Sequence, residues 1–179
     1  MTACFAYAYV RLLLALELLL FTASLLLHLS VFVGAKTPYA VYGVMLFRGT
    51  VIVGVAVTAF IKDGLTWMDQ IKSCPRWMWK GALTLGVYGL LIVCLQMIFP
   101  QGPSLSDQSL TVSGFPLGFD AIYLCILYSV LWAGYLDKSE VLRRTLHSVI
   151  LVALGVIGFA AYRAGYLHHP ESHPGRVSQ

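Results

Sequence analysis

Four ionisable residues stand inside long apolar stretches of this chain: Glu17, His28, Arg48 and Asp120. A charge within the hydrocarbon of a bilayer costs about 2.5–3.5 kcal/mol on insertion scales, so each needs a partner or a task. Carboxyl and imidazole groups exchange protons, and a guanidinium offers anions a fork of N–H donors. Proton transfer, ion passage or ligand capture is the chemistry such a set can perform.

Spacing gathers part of the set. Glu17, Ser24 and His28 recur at i, i+7 and i+11, which on a helix returns to within about 20° of the starting direction. One face of the first helix therefore carries all three and should look inward. Depth then divides the four. Glu17 lies near the inner end of its stretch, with Lys62 or Lys80 as its nearest prospective partners. His28 and Arg48 share a level near the outer end, and Asp120 opens the fourth stretch. An outer cluster of His28, Arg48 and Asp120 is expected, with an Arg48–Asp120 ion pair as the cheapest way to hold both charges. On that reading Arg48→Ala and Asp120→Ala each lower folded yield, and the double substitution recovers part of the loss.

The elements that must position these groups are membrane helices. Of 179 residues, 59% are hydrophobic and 11% charged, and mean hydropathy is +0.79. Soluble domains carry about 25% charged residues, so a soluble globule and a disordered chain are excluded. A spanning helix needs about 20 apolar residues. Five stretches meet or approach this: 12–33, 43–61, 81–99, 118–136 and 147–166. No period-2 alternation argues for a barrel. The expected fold is an all-α polytopic bundle of five spans, with four as the fallback, over residues 1–167. A polar tail, 168–179, reads as disordered. The first span is longer than the ~7–15 residues of a signal-peptide core, so it reads as an uncleaved anchor.

The net charge of +4 is explained by topology. Arg11 and the segments 62–80 and 137–146 hold eight of the twelve Lys and Arg. By the positive-inside rule these parts and the N-terminus are cytoplasmic, and no nucleic-acid footprint remains. Segment 62–80 also holds Trp67, Trp77 and Trp79, expected as interfacial anchors. The turn-rich segment 100–117 is expected to drape over the outer end.

Cofactor signals are weak, and the sequence names no cofactor. No CxxCH is present for attached haem. His28 and His147 sit at opposite depths and cannot ligate one haem b. His168, His169 and His173, with Glu171, form a weak metal-binding prospect in the tail. Cys74 and Cys4 fall on the reducing side, so no disulfide framework is expected.

Three groups of residues carry a resemblance: His28-Leu29-Ser30, the loop Ser73-Cys74-Pro75-Arg76-Trp77-Met78, and Ser113-Gly114-Phe115 leading into Ile126-Leu127-Tyr128-Ser129. In these the chain resembles a set of small four-helix bacterial membrane proteins with a Cys-Pro-x-Trp-Met cytoplasmic loop, over roughly residues 10–136. The chain departs from that pattern in its fifth apolar stretch and in lacking a histidine after Gly114. The resemblance implies a bundle in a bacterial inner membrane and no particular activity.

With no nucleophile–base pair or phosphate loop in view, the leading expectation is a non-catalytic accessory or structural subunit. Its partners would be the bilayer and other membrane subunits. The alternatives are a small proton-coupled carrier using Glu17, His28 and Arg48, and a redox subunit binding quinone or haem.

Overall fold

A computed structural model describes residues 3–33, 39–61, 67–98 and 105–168. Six helices follow in order: α1 (Ala3–Phe32), α2 (Tyr39–Thr58), α3 (Trp67–Lys72), α4 (Arg76–Ile98), α5 (Leu105–Leu131) and α6 (Lys138–His168). No strand occurs among the described residues. Helices are the form in which each long apolar segment satisfies its own backbone groups without water. Stretches within α1, α4, α5 and α6 are long and apolar enough to cross a membrane, and the apolar part of α2, Tyr42–Thr58, falls short of that measure.

The helices outrun the apolar stretches from which they are expected. α5 begins at Leu105, so the segment expected to drape as a loop is largely helix. Its Ser and Thr residues favour turns only in isolation, and an extending helix still bonds its own backbone. Pro116 lies within α5, where its ring removes one such bond. The basic segment 137–146 is likewise the opening of α6. Asp137 caps it, with Oδ1 accepting from the Glu140 N–H at 2.8 Å and from Ser139 Oγ at 2.8 Å. Between α5 and α6, Gly134 takes φ +62°, and the Tyr135 N–H reaches the Ser129 carbonyl. The tail from residue 169, with His169 and His173, lies outside the described residues, as do the side chain of His168 and residues 62–66.

α5 is the axis of the bundle and packs against α1, α2, α3 and α4. Its contact with α4 is made by backbone. A Cβ on Gly118 would stand 2.8 Å from the Leu85 carbonyl oxygen, and one on Gly89 would stand 2.9 Å from that of Gly114. Small residues thus let two helices meet at main-chain distance, a common device where lipid supplies no hydrophobic drive.

A polar latch closes the end of the bundle where α2 finishes and α6 starts. Arg144 donates to the carbonyls of Ala59 and Ile61, beyond the last turn of α2, and pairs with Glu140 at 2.7 Å. Ser148 donates to the Ala56 carbonyl and is bonded to the Tyr9 hydroxyl at 2.9 Å, joining α1 to the pair. From α3, buried Gln70 donates to the Phe60 carbonyl and to Ser129 Oγ. The Cys74 thiol donates to the Cys125 carbonyl at 3.1 Å. Beyond this latch, from Val149 to Tyr162, most of the large apolar side chains of α6 are exposed, while Val152 still packs against the core.

Gly118→Ala is expected to destabilise the fold by about 1–3 kcal/mol, because the displaced atom is backbone. Gly158→Ala, with open space at its Cβ, should be neutral or mildly stabilising. Thermal unfolding of the two variants in one detergent measures the difference.

Candidate functional site

The longer helices change the depth of every polar group. Glu17 falls midway along α1, and Asp120 falls past the middle of α5. Both are fully buried. The Asp120 carboxyl accepts from Ser24 Oγ of α1 at 3.0 Å and from Thr50 Oγ1 of α2 at 2.7 Å. Three helices are thereby joined at one side chain. Ser24 stands on the buried face of α1 that also carries Glu17 and His28, so the 3.6-residue period puts a donor where Asp120 needs it.

Glu17 has no such provision. Neither of its oxygens has a hydrogen-bond donor among the described residues. The Asp120 carboxyl lies across from it on α5, and the two carboxyls and the Tyr123 phenol are close enough to interact electrostatically. Two adjacent carboxylates away from water repel, and no described cation faces them. Tyr123 is admitted by Gly54, whose Cβ would lie 2.7 Å from the phenolic oxygen.

His28 lies one turn beyond Ser24. Its Nε2 is bonded to the Tyr88 hydroxyl of α4 at 2.8 Å, with the rings edge-on at 5.5 Å. Gly114 leaves room for this imidazole, since a Cβ there would come 3.4 Å from its Cε1. Glu17, Ser24, Asp120 and His28 therefore make one polar seam from the middle of the bundle toward the Phe32 end of α1.

Arg48 stands apart, and the expected Arg48–Asp120 pair does not form. Arg48 is exposed, and Asp120 takes its donors from Ser24 and Thr50. The cause is angular: Arg48 and Thr50 are two residues apart, about 200° around the helix, so only one of them can face α5. The buried residues of α2 beyond Arg48 are Thr50, Val53, Gly54, Ala56 and Val57. The four-residue spacing of Thr50 and Gly54 marks a face that excludes Arg48. Sequence reasoning also missed Tyr88, Tyr123 and Gln70, whose roles depend on helix pairing that a single sequence does not display.

Of the tryptophans, Trp67 and Trp79 pack partly against the core, while Trp77 is 78% exposed. Lys80 Nζ stands 5.8 Å from the Trp79 ring centroid. No group of three or more His, Cys, Asp or Glu able to hold a metal occurs among the described residues.

Removing the Asp120 carboxyl strips two helices of a shared acceptor. Asp120→Ala is expected to cost about 1–3 kcal/mol, and Thr50→Val about 1 kcal/mol. Arg48→Ala should stay within about 0.5 kcal/mol. A double-mutant cycle of Arg48 and Asp120, read by unfolding in detergent, should show no coupling; recovery in the double variant would restore the ion pair.

No protein family, curated protein or solved structure matches the chain.

Proposed function

We propose that this protein is a small membrane transporter that carries protons across the bilayer, with the Glu17–Asp120 carboxyl pair as its working group. The observation that carries the reading is Glu17: a fully buried carboxyl with no donor for either oxygen and a second carboxyl beside it. A purely structural helix contact has no use for that arrangement, since an apolar side chain of similar size would pack without the cost of burying a polar group. A group that alternately holds and gives up a proton needs it. Ionisable residues buried in membrane bundles mark proton and ion paths.

In this reading Asp120 is the fixed acceptor, held by Ser24 and Thr50. Glu17 is the mobile partner, free of bonds that would lock it. His28 and Tyr88 extend the seam toward one surface. α2 crosses together with the four longer helices, giving five spans. Eight basic residues support a topology with the N-terminus and the Arg144 latch on the cytoplasmic side of a bacterial inner membrane. Trp67, Trp77 and Trp79 then lie at the inner interface as anchors.

The accessory-subunit reading is favoured by one observation, the exposed apolar length of α6 beyond Ser148. It predicts a fixed partner protein that remains bound in mild detergent and is lost when α6 is truncated after the latch.

The carrier reading is tested in proteoliposomes loaded with a pH-sensitive dye. The wild type should dissipate an imposed pH gradient at least about tenfold faster than protein-free vesicles, and Glu17→Gln and Asp120→Asn should remove that flux. Stability should move the other way for Glu17→Gln, because its amide can donate to Asp120 and add about 1 kcal/mol. Wild-type flux equal to that of empty vesicles, or full flux in Glu17→Gln, overturns the reading.

A further inference from the structure

A second feature lies on the opposite face of α2 and is independent of the carboxyl pair. α2 and α6 are pinned together at one end, where Ser148 meets Ala56 and Arg144 meets Ala59. Away from that end they enclose a groove of about 410 Å³. Its walls are apolar, with Val51 and Val55 on α2 and Val152, Gly155 and Phe159 on α6. The exception is Arg48, which lines the groove, is exposed, and has neither a hydrogen bond nor an ion pair among the described residues.

Five N–H donors on a membrane helix need acceptors. Among the described residues none is supplied here. Asp120 is engaged on the far side of α2, and Glu140 is engaged by Arg144 at the pinned end. Helical side chains lean toward the N-terminus of their helix, so Arg48 reaches toward the Tyr39 end, away from the latch. A cation thus sits above an apolar channel that opens sideways.

We infer that the α2–α6 groove binds an anionic phospholipid, with Arg48 on the phosphate and an acyl chain in the channel running toward Val55. A phosphate anion accepts from a guanidinium through two parallel bonds, and an apolar chain replaces no hydrogen bond in the channel. A zwitterionic lipid brings a competing cation to the same place and binds less tightly. Gly155 sets the width: its Cβ would meet nothing within 4 Å, so a larger side chain there occupies the channel and leaves the bundle intact.

Delipidated protein in detergent is titrated with phosphatidylglycerol and with phosphatidylcholine of the same chains, and bound lipid is counted by native mass spectrometry. The wild type should hold phosphatidylglycerol about tenfold more tightly, the worth of one charge-assisted bond. Arg48→Gln should equalise the two lipids, and Arg48→Lys should keep part of the difference. Gly155→Leu should weaken both. Lys72→Gln, at the other end of the bundle, should leave the preference unchanged. The inference is overturned by equal affinity for both lipids in the wild type, or by a preference that survives Arg48→Gln. Equal loss in Lys72→Gln, full binding in Gly155→Leu, or displacement of the lipid by inorganic phosphate at matched concentration overturns it as well.

Discussion

A carboxyl placed among apolar helices must be given donors, and the bundle is arranged around that requirement at Asp120. Ser24 comes from α1, Thr50 from α2, and the carboxyl itself from α5. Apolar packing alone is tolerant of sliding, because one leucine contact resembles the next. Two short hydrogen bonds are not tolerant: a shift of one helix by a single residue moves each hydroxyl about 1.5 Å along the axis and 100° around it. The pair of bonds therefore fixes the registers of three helices at once. Glu17 is placed by the same registers, which is why it is buried beside Asp120 without a donor of its own.

The two ends of the molecule are held by different physics. At the Arg144 end, the loose carbonyls after α2, the Tyr9–Ser148 bond and the amide of Gln70 make a polar closure that binds five helices together. Toward the other end α1, α4 and α5 gather around His28 and Tyr88, and Phe47 of α2 still meets Phe115 of α5, while α6 is left largely exposed. The groove at Arg48 opens between α2 and that freed length.

Fold class was legible because hydropathy reports the cost of placing a segment in lipid. Helix ends were less legible for the same reason. The turns before Leu12, Gly118 and His147 are polar or mixed and would cost too much in lipid, yet they continue the helical backbone outside it. Periodicity found the inward face of α1 with Glu17, Ser24 and His28. It also contains the information that Arg48 faces away, in the angle between it and Thr50, whereas depth alone points Arg48 toward Asp120. The Glu17–Asp120 contact was hidden by the displaced helix ends, which put the two carboxyls at different levels. Tyr88 and Gln70 meet partners 60 and 59 residues away in sequence, and no local pattern announces such a meeting.

The glycine contact between α4 and α5 has a mechanical consequence. Where two main chains touch, no side chain can change rotamer to absorb relative motion, so these two helices translate and tilt as a single block. The carboxyl pair lies on the boundary of that block, with Asp120 on it and Glu17 across from it on α1. Any rearrangement that brings water to the pair must part this boundary, where contacts are made by side chains that can re-form. Asp120 would leave with the block, while Thr50, Ser24 and Glu17 stayed with the opposite wall, so the side chain that joins three helices is also the molecule's line of cleavage.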